Sequence, residues 1–329
     1  MKITDWAIIF ILIVTPFLWL SSIHAEDVRE INRLETKYSA ALKTAAQDGG
    51  TAMNVNEHQQ YESGYGSNKF MRVDKEQALD ALLNSLYLNL GIPDDFLSQQ
   101  ALLVYIPAIV VMDYDGYYVY SADEYKGEDG SEQISHRWRP KKPYVYLDQQ
   151  GNSVSFTMDQ YVTAYDHSRN RWISGLKNEI KSDASIPLLH NDQQFDEVRR
   201  SVIVRSIEED LAQVISHHNE VAPRWGVHYT FTLPTIPQEA WTNTINDVGI
   251  LLFLQGIPIG DQYYNNFAFG GGRLVKSKPV LGGVDMARQR KLYYRSPCQI
   301  VESLSFQVEE VFANEKEAAA QGYFPLQCN

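Results

Sequence analysis

The sequence predicts an α+β fold: an N-terminal transmembrane helix extended into a longer helix, then an extracytoplasmic domain of antiparallel sheet and packed helices. Three observations carry this. Residues Trp6–Ile23 (WAIIFILIVTPFLWLSSI) are uncharged and mostly apolar. Beyond them, apolar residues recur every three or four positions, the helical period. Further on, helical and strand patterns come in blocks rather than in the regular alternation of a parallel α/β sheet.

The apolar run comes first. Eighteen residues at 1.5 Å each span ~27 Å, about one hydrocarbon core. Trp6 and Trp19 suit the two interfaces, and Pro16 is a kink that membrane helices tolerate. A cleaved signal peptide ending at Ala25 is the alternative. The lone Lys2 and the length of the run favour a retained anchor with its N-terminus inside. Residues 1–25 are thus read as the anchor and 26–50 as an extended membrane-proximal helix. Its stripe is Val28, Ile31, Leu34, Tyr38, Leu42 and Ala45, which must pack on the protein's own body or on neighbouring copies. Gly49-Gly50 is read as the stop. Residues 51–72 read as a linker, and 73–329 as the extracytoplasmic domain.

Within that domain, Asp74–Leu90 is an amphipathic helix with Asp74 as N-cap and Gly91 as its stop. Leu102–Met112 (LLVYIPAIVVM) reads as a buried strand, followed by a turn at Asp113-Tyr114-Asp115-Gly116 and a strand at Tyr117–Ser121. Asp123–Lys142 reads as a loop, with strands at Tyr144–Leu147 and Ser153–Met158. Phe195–Val221 is a long helix and Tyr229–Leu233 a strand. From Thr235 a helix is expected through Trp241, Ile245, Val248 and Leu252 to Gly256. Late strands are expected near Arg273–Lys276 and Cys298–Val301. A short helix is expected at Glu315–Gln321, capped by Asn314 and closed by Gly322.

Composition narrows function. Of 329 residues, 44% are hydrophobic and 21% charged, enough for a sizeable core, and 20 Tyr suit strand-rich structure. The net charge of -12 argues against a nucleic-acid partner, which needs a basic footprint. The two cysteines, Cys298 and Cys328, suit a disulfide in an oxidising compartment.

Motifs for chemistry are scarce. Asp113-Tyr114-Asp115-Gly116 lacks the later bidentate acid of a calcium loop and reads as a turn. His217 and His218 point about 100° apart on a helix and read as a solvated face. Phe269-Gly270-Gly271-Gly272-Arg273 matches no phosphate-binding fingerprint and reads as a turn or close packing. Arg288–Arg295 (RQRKLYYR) is the one strong basic run. No nucleophile elbow occurs, and neither a metal nor a cofactor is expected. The reading is a non-catalytic anchored protein with protein partners or self-assembly. Two alternatives are a ligand-binding module with Tyr105, Tyr118 and Tyr146 in a pocket, and a hydrolase acting on cell-wall material.

Trp6–Ile23 running into the small-residue helix Tyr38–Ala46 resembles the N-terminal architecture of pilin-like and pseudopilin-like proteins, including subunits of tight-adherence pili. The likeness covers about 45 of the 329 residues. It implies assembly through the helix stripe. A prepilin-type processing site, with a basic leader, a glycine and then an acidic fifth residue, is not evident around Asp5. Leu251–Gly260, Tyr263–Gly270 and Gly322–Cys328 look like segments of surface proteins of Gram-positive bacteria, which implies an extracellular body. The hairpin Ile109–Ser121 resembles strand pairs of Cache and PAS sensor domains, which implies a ligand.

Overall fold

The computed structural model describes residues 3–53, 72–127, 130–272, 280–286, 290–295, 298, 306–312 and 315–326. It is α+β, with a long N-terminal helix and antiparallel sheets. Helix α1 (Ile3–Ala52) is one continuous element of 50 residues. From Thr15 to Glu30 every residue is exposed, and Ala41, Leu42, Ala45 and Ala46 are buried. Among the described residues no helix is long and apolar enough to cross a membrane. The expected span includes residues 6–9 and 12, whose side chains lie outside the described set.

Helix α2 (Lys75–Leu90) lies against α1 and begins as expected. Asp74 accepts a hydrogen bond from Gln77 N at 3.0 Å, and Gly91 ends the helix at φ 84°. Gly49-Gly50 does not stop α1. A Cβ on Gly49 would lie 3.0 Å from both Ala78 O and Leu82 Cβ, and one on Gly50 would lie 2.9 Å from Gly270 C. The pair instead lets α1 approach α2 and the sheet closely, because a methyl group at either position would hold the backbones apart. The expected linker lies almost wholly outside the described residues.

The main sheet has nine strands, in the order β7-β6-β5-β4-β2-β1-β8-β9, with β3 also paired to β2. They are β1 (Ile109–Asp113), β2 (Gly116–Lys126), β3 (Glu132–Trp138), β4 (Lys142–Leu147), β5 (Ser153–Phe156), β6 (Tyr161–Asp166), β7 (Arg171–Leu176), β8 (Gly249–Ile259) and β9 (Gln262–Gly271). All of these pairs are antiparallel. Helix α3 (Phe96–Leu103) precedes β1, and α4 (Lys177–Ile180) is a single turn after β7. Helices α5 (Asp192–Val221) and α6 (Gln238–Thr244) follow.

The core lies on both sides of this sheet. Ile109 and Val111 of β1, with Ile250, Leu252 and Leu254 of β8, join α1 and α2. The alternate residues Val110, Met112, Leu251 and Phe253 join α5 and α6. Strands covered on both faces lose the polar-apolar alternation, and this accounts for two departures from the sequence reading. Leu102 and Leu103 end α3, so the expected strand Leu102–Met112 begins only at Ile109. The expected helix through Leu252 breaks after Thr244 and becomes β8, since a continuous apolar run does not distinguish buried helix from buried strand.

Two further expectations are corrected. The segment assigned to a loop, Asp123–Lys142, carries the end of β2 and all of β3. Tyr229–Leu233 is not a strand. Its backbone is held by side-chain amides: Asn219 bonds Phe231 N and O at 2.7 and 2.9 Å, and Gln255 bonds Thr232 N and O at 3.2 and 2.8 Å. Amide side chains thus take the place of neighbouring strands.

A second sheet orders β10 (Val280–Asp285), β11 (Arg290–Arg295), β12 (Phe306–Phe312) and β13 (Phe324–Pro325) as β12-β10-β11-β13. Val280 and Phe312 pack with Ala318 of α7 (Glu315–Ala320) and with Tyr323. The basic run therefore supplies β11. The expected strand Arg273–Lys276, and all of Cys298–Val301 except Cys298, lie outside the described residues. Cys298 is buried and no described cysteine is free; Cys328 lies outside the description.

Candidate functional site

The β2–β3 pairing builds an aromatic wall. Tyr118 and Tyr120 share one face of β2, His136 and Trp138 one face of β3, and Tyr120 sits opposite Trp138. Trp225 closes the row from the 3-10 turn after α5, where Gly226 at φ 82° reverses the chain. Trp138–Tyr120, Tyr120–His136 and His136–Trp225 centroids are 5.2, 5.8 and 5.8 Å apart. His218 lies 6.0 Å from Trp225 and 4.5 Å from Phe231.

The two histidines are held neutral. His136 Nε2 meets Ile106 O at 3.1 Å and His218 Nε2 meets Val104 O at 2.9 Å, so both rings clasp the α3–β1 connection. Burial pushes the His218 pKa down to about 4 and lowers that of His136. His218 is fully buried, which overturns the solvated reading for that residue, whereas His217 is part-exposed with its Nδ1 3.7 Å from Glu220 Oε2. Val214, Ile215 and Val221 share its buried side of α5. In front of the wall lies a cavity of about 480 Å³, lined by Tyr120, His136 and Trp225 with Gln100, Ala101 and Ser135 among others.

At the other end of β1, Lys141 sits against the Asp113–Gly116 segment, which is the turn the sequence reading expected. Its Nζ lies 2.6 Å from Asp113 Oδ2 and also pairs with Asp115. Asp113 further accepts from Tyr114 N at 2.7 Å. Burial raises the Asp113 pKa against the pull of Lys141. The ammonium stands where a cation would bind. Among the described residues no group of three His, Cys, Asp or Glu is placed to hold a metal.

The expected pocket tyrosines do not converge. Tyr105 and Tyr118 pack against the core beneath α1 and α2, whereas Tyr146 packs on the opposite core against Phe156. Tyr120, two residues along the same face as Tyr118, is the one that reaches the cavity. The missed residues were legible: Ile134, His136 and Trp138 alternate with polar neighbours, as a half-buried strand does. The helix stripe divides. Leu42 and Ala45 are fully buried, Ile31, Leu34 and Tyr38 are partly buried against the same core, and Val28 is 44% exposed. Tyr38 meets Tyr264 edge-on at 5.4 Å, and Ser39 Oγ lies 3.1 Å from the Tyr264 hydroxyl, tying α1 to β9. Comparison with family models, curated proteins and solved structures found no match to the chain.

Proposed function

We propose that the chain is a non-catalytic, membrane-anchored extracytoplasmic subunit of a pilin-like surface assembly, anchored through residues 6–23 with its N-terminus inside. One observation carries the reading. A single helix is locked into the body from Ile31 onward and exposes Phe10, Ile11, Phe17, Leu18, Trp19 and Leu20 before it. A contiguous apolar surface of this kind is unfavourable in water and calls for lipid or neighbouring helices. The packed half makes the projecting half a rigid extension of the body rather than a loose tether. In the same reading the body is exported, and Cys298 pairs with Cys328.

Fractionation of tagged cells into cytosol, membrane and mechanically sheared surface material tests this. Wild type is expected in the membrane and, as high-mass particles, in the sheared material. Val14→Asp should be lost from both, because a carboxylate at the middle of residues 6–23 opposes insertion by roughly 3 kcal/mol. Wild type in the cytosol would overturn the anchor. Wild type confined to the membrane would retain the anchor and remove the filament role.

A further inference from the structure

The cavity before the aromatic wall is independent of the anchor and is not used by the assembly reading. The geometry points to a binding site here for a small organic cation with a quaternary ammonium head, of the choline type.

The argument begins with what lines the space. Tyr120, His136 and Trp225 line one side, His136 tilted 31° from Tyr120 and stacked with an offset on Trp225, their centroids 5.8 Å apart at each step. The other lining side chains are aliphatic or uncharged polar, Gln100 and Ser135 among them, and none carries a formal charge. An inorganic cation or a primary ammonium gives up strong hydration on entry and needs oxygen ligands in return. A quaternary ammonium is weakly hydrated, donates no hydrogen bond and is attracted by ring faces, so a neutral aromatic site selects it.

Charge nearby agrees. Burial keeps His136 and His218 neutral near pH 7, so the wall does not repel a cation. Arg224, next to Trp225, is engaged by Glu124 at 2.7 Å. The chain as a whole carries a net charge of -12, which raises the local concentration of cations. The volume of about 480 Å³ accepts the head group with room for a substituent toward the open side.

Calorimetric titration of the full chain with choline chloride, in a detergent free of choline and amine-oxide groups, is the test. Saturable heat is expected with choline and none with ammonium chloride or sodium chloride at equal concentration. Ala101→Trp fills the cavity from the exposed surface of α3 without disturbing the core, and should weaken binding at least roughly ten-fold. Trp225→Ala should do the same by removing one ring. Glycerophosphocholine binding tighter than choline would assign a lipid head group as the source, and the reverse order a free solute. Absence of a choline-specific signal in wild type, or unchanged affinity in Ala101→Trp, would overturn the site. Neither result touches the fractionation experiment, so the two readings fail separately.

Discussion

The two faces of the main sheet are packed by opposite means. Under α1 and α2 the closest contact is made by small residues: Ala46 and Gly50 of α1 meet Gly270 of β9, and Gly49 meets Ala78 of α2, beside larger residues such as Leu42, Leu82 and Leu86. Under α5 and α6 it is made by large rings, Phe156, Phe195, Trp241 and Phe253, together with the buried polar groups Arg199 and Asp210. Close backbone approach leaves no room for added atoms. A layer spaced by rings leaves internal space that polar groups must fill with partners. The first face should therefore be sensitive to gained volume, the second to lost partners and to pH.

Gly270→Ala should give the largest effect. An added Cβ would sit 1.6 Å from Ala46 O, a backbone atom of α1 that moves only with its helix. A loss of more than about 3 kcal/mol is expected in urea unfolding. Gly271→Ala is the control, since a Cβ there meets nothing within 4 Å. It should change stability by less than about 1 kcal/mol. Equal effects at the two positions would break the close-approach account of this face.

Acid should act through the second face. His218, at the end of α5, has a native pKa of about 4, below its ordinary 6.5, because burial disfavours the charged ring. The native state therefore binds fewer protons than the unfolded chain between these values. Its contribution is complete above pH 6.5 and is lost as pH falls toward 4, by roughly 3 kcal/mol in total. Urea midpoints measured from pH 7 to 4 should fall accordingly, and His218→Leu should flatten the slope while lowering stability at pH 7 by orphaning Val104 O. A slope unchanged by His218→Leu would remove this residue from the account.

The same contrast explains what was legible in the sequence. The α1 stripe from Ile31 to Ala45, the Asp74 cap and the Asp113–Gly116 turn follow from local spacing and turn chemistry, and they stand where the sequence placed them, while Val28 is exposed. The expected helix across Ile250–Leu254 failed because both faces of β8 are covered, so its periodicity is erased. Gly49-Gly50 carried two meanings, helix stop and close approach, and only the position of Gly270, far along the chain, decides between them. Tyr229–Leu233 has strand-like composition, yet the amides that hold it, on Asn219 and Gln255, come from elsewhere in the sequence. The aromatic cavity needs β2, β3, α3 and the turn after α5 together, and no local pattern reports that meeting.

The smallest prediction asks whether the faces differ in their helices or only in how those helices are packed. Each side has a long helix with a side-chain cap: Asp74 accepts from Gln77 N at 3.0 Å on α2, and Asn191 accepts from Gln194 N at 3.1 Å on α5. A cap satisfies a backbone donor within its own first turn, whatever lies beneath the helix. Asp74→Ala and Asn191→Ala should therefore each cost about 1 kcal/mol, and the double variant about the sum, since the two caps share no partner. Equal values would place the difference between the faces in the packing. A markedly larger loss for Asn191→Ala would mean that the ring-spaced layer also depends on the precise start of α5, where Phe195 enters the core one turn after the cap.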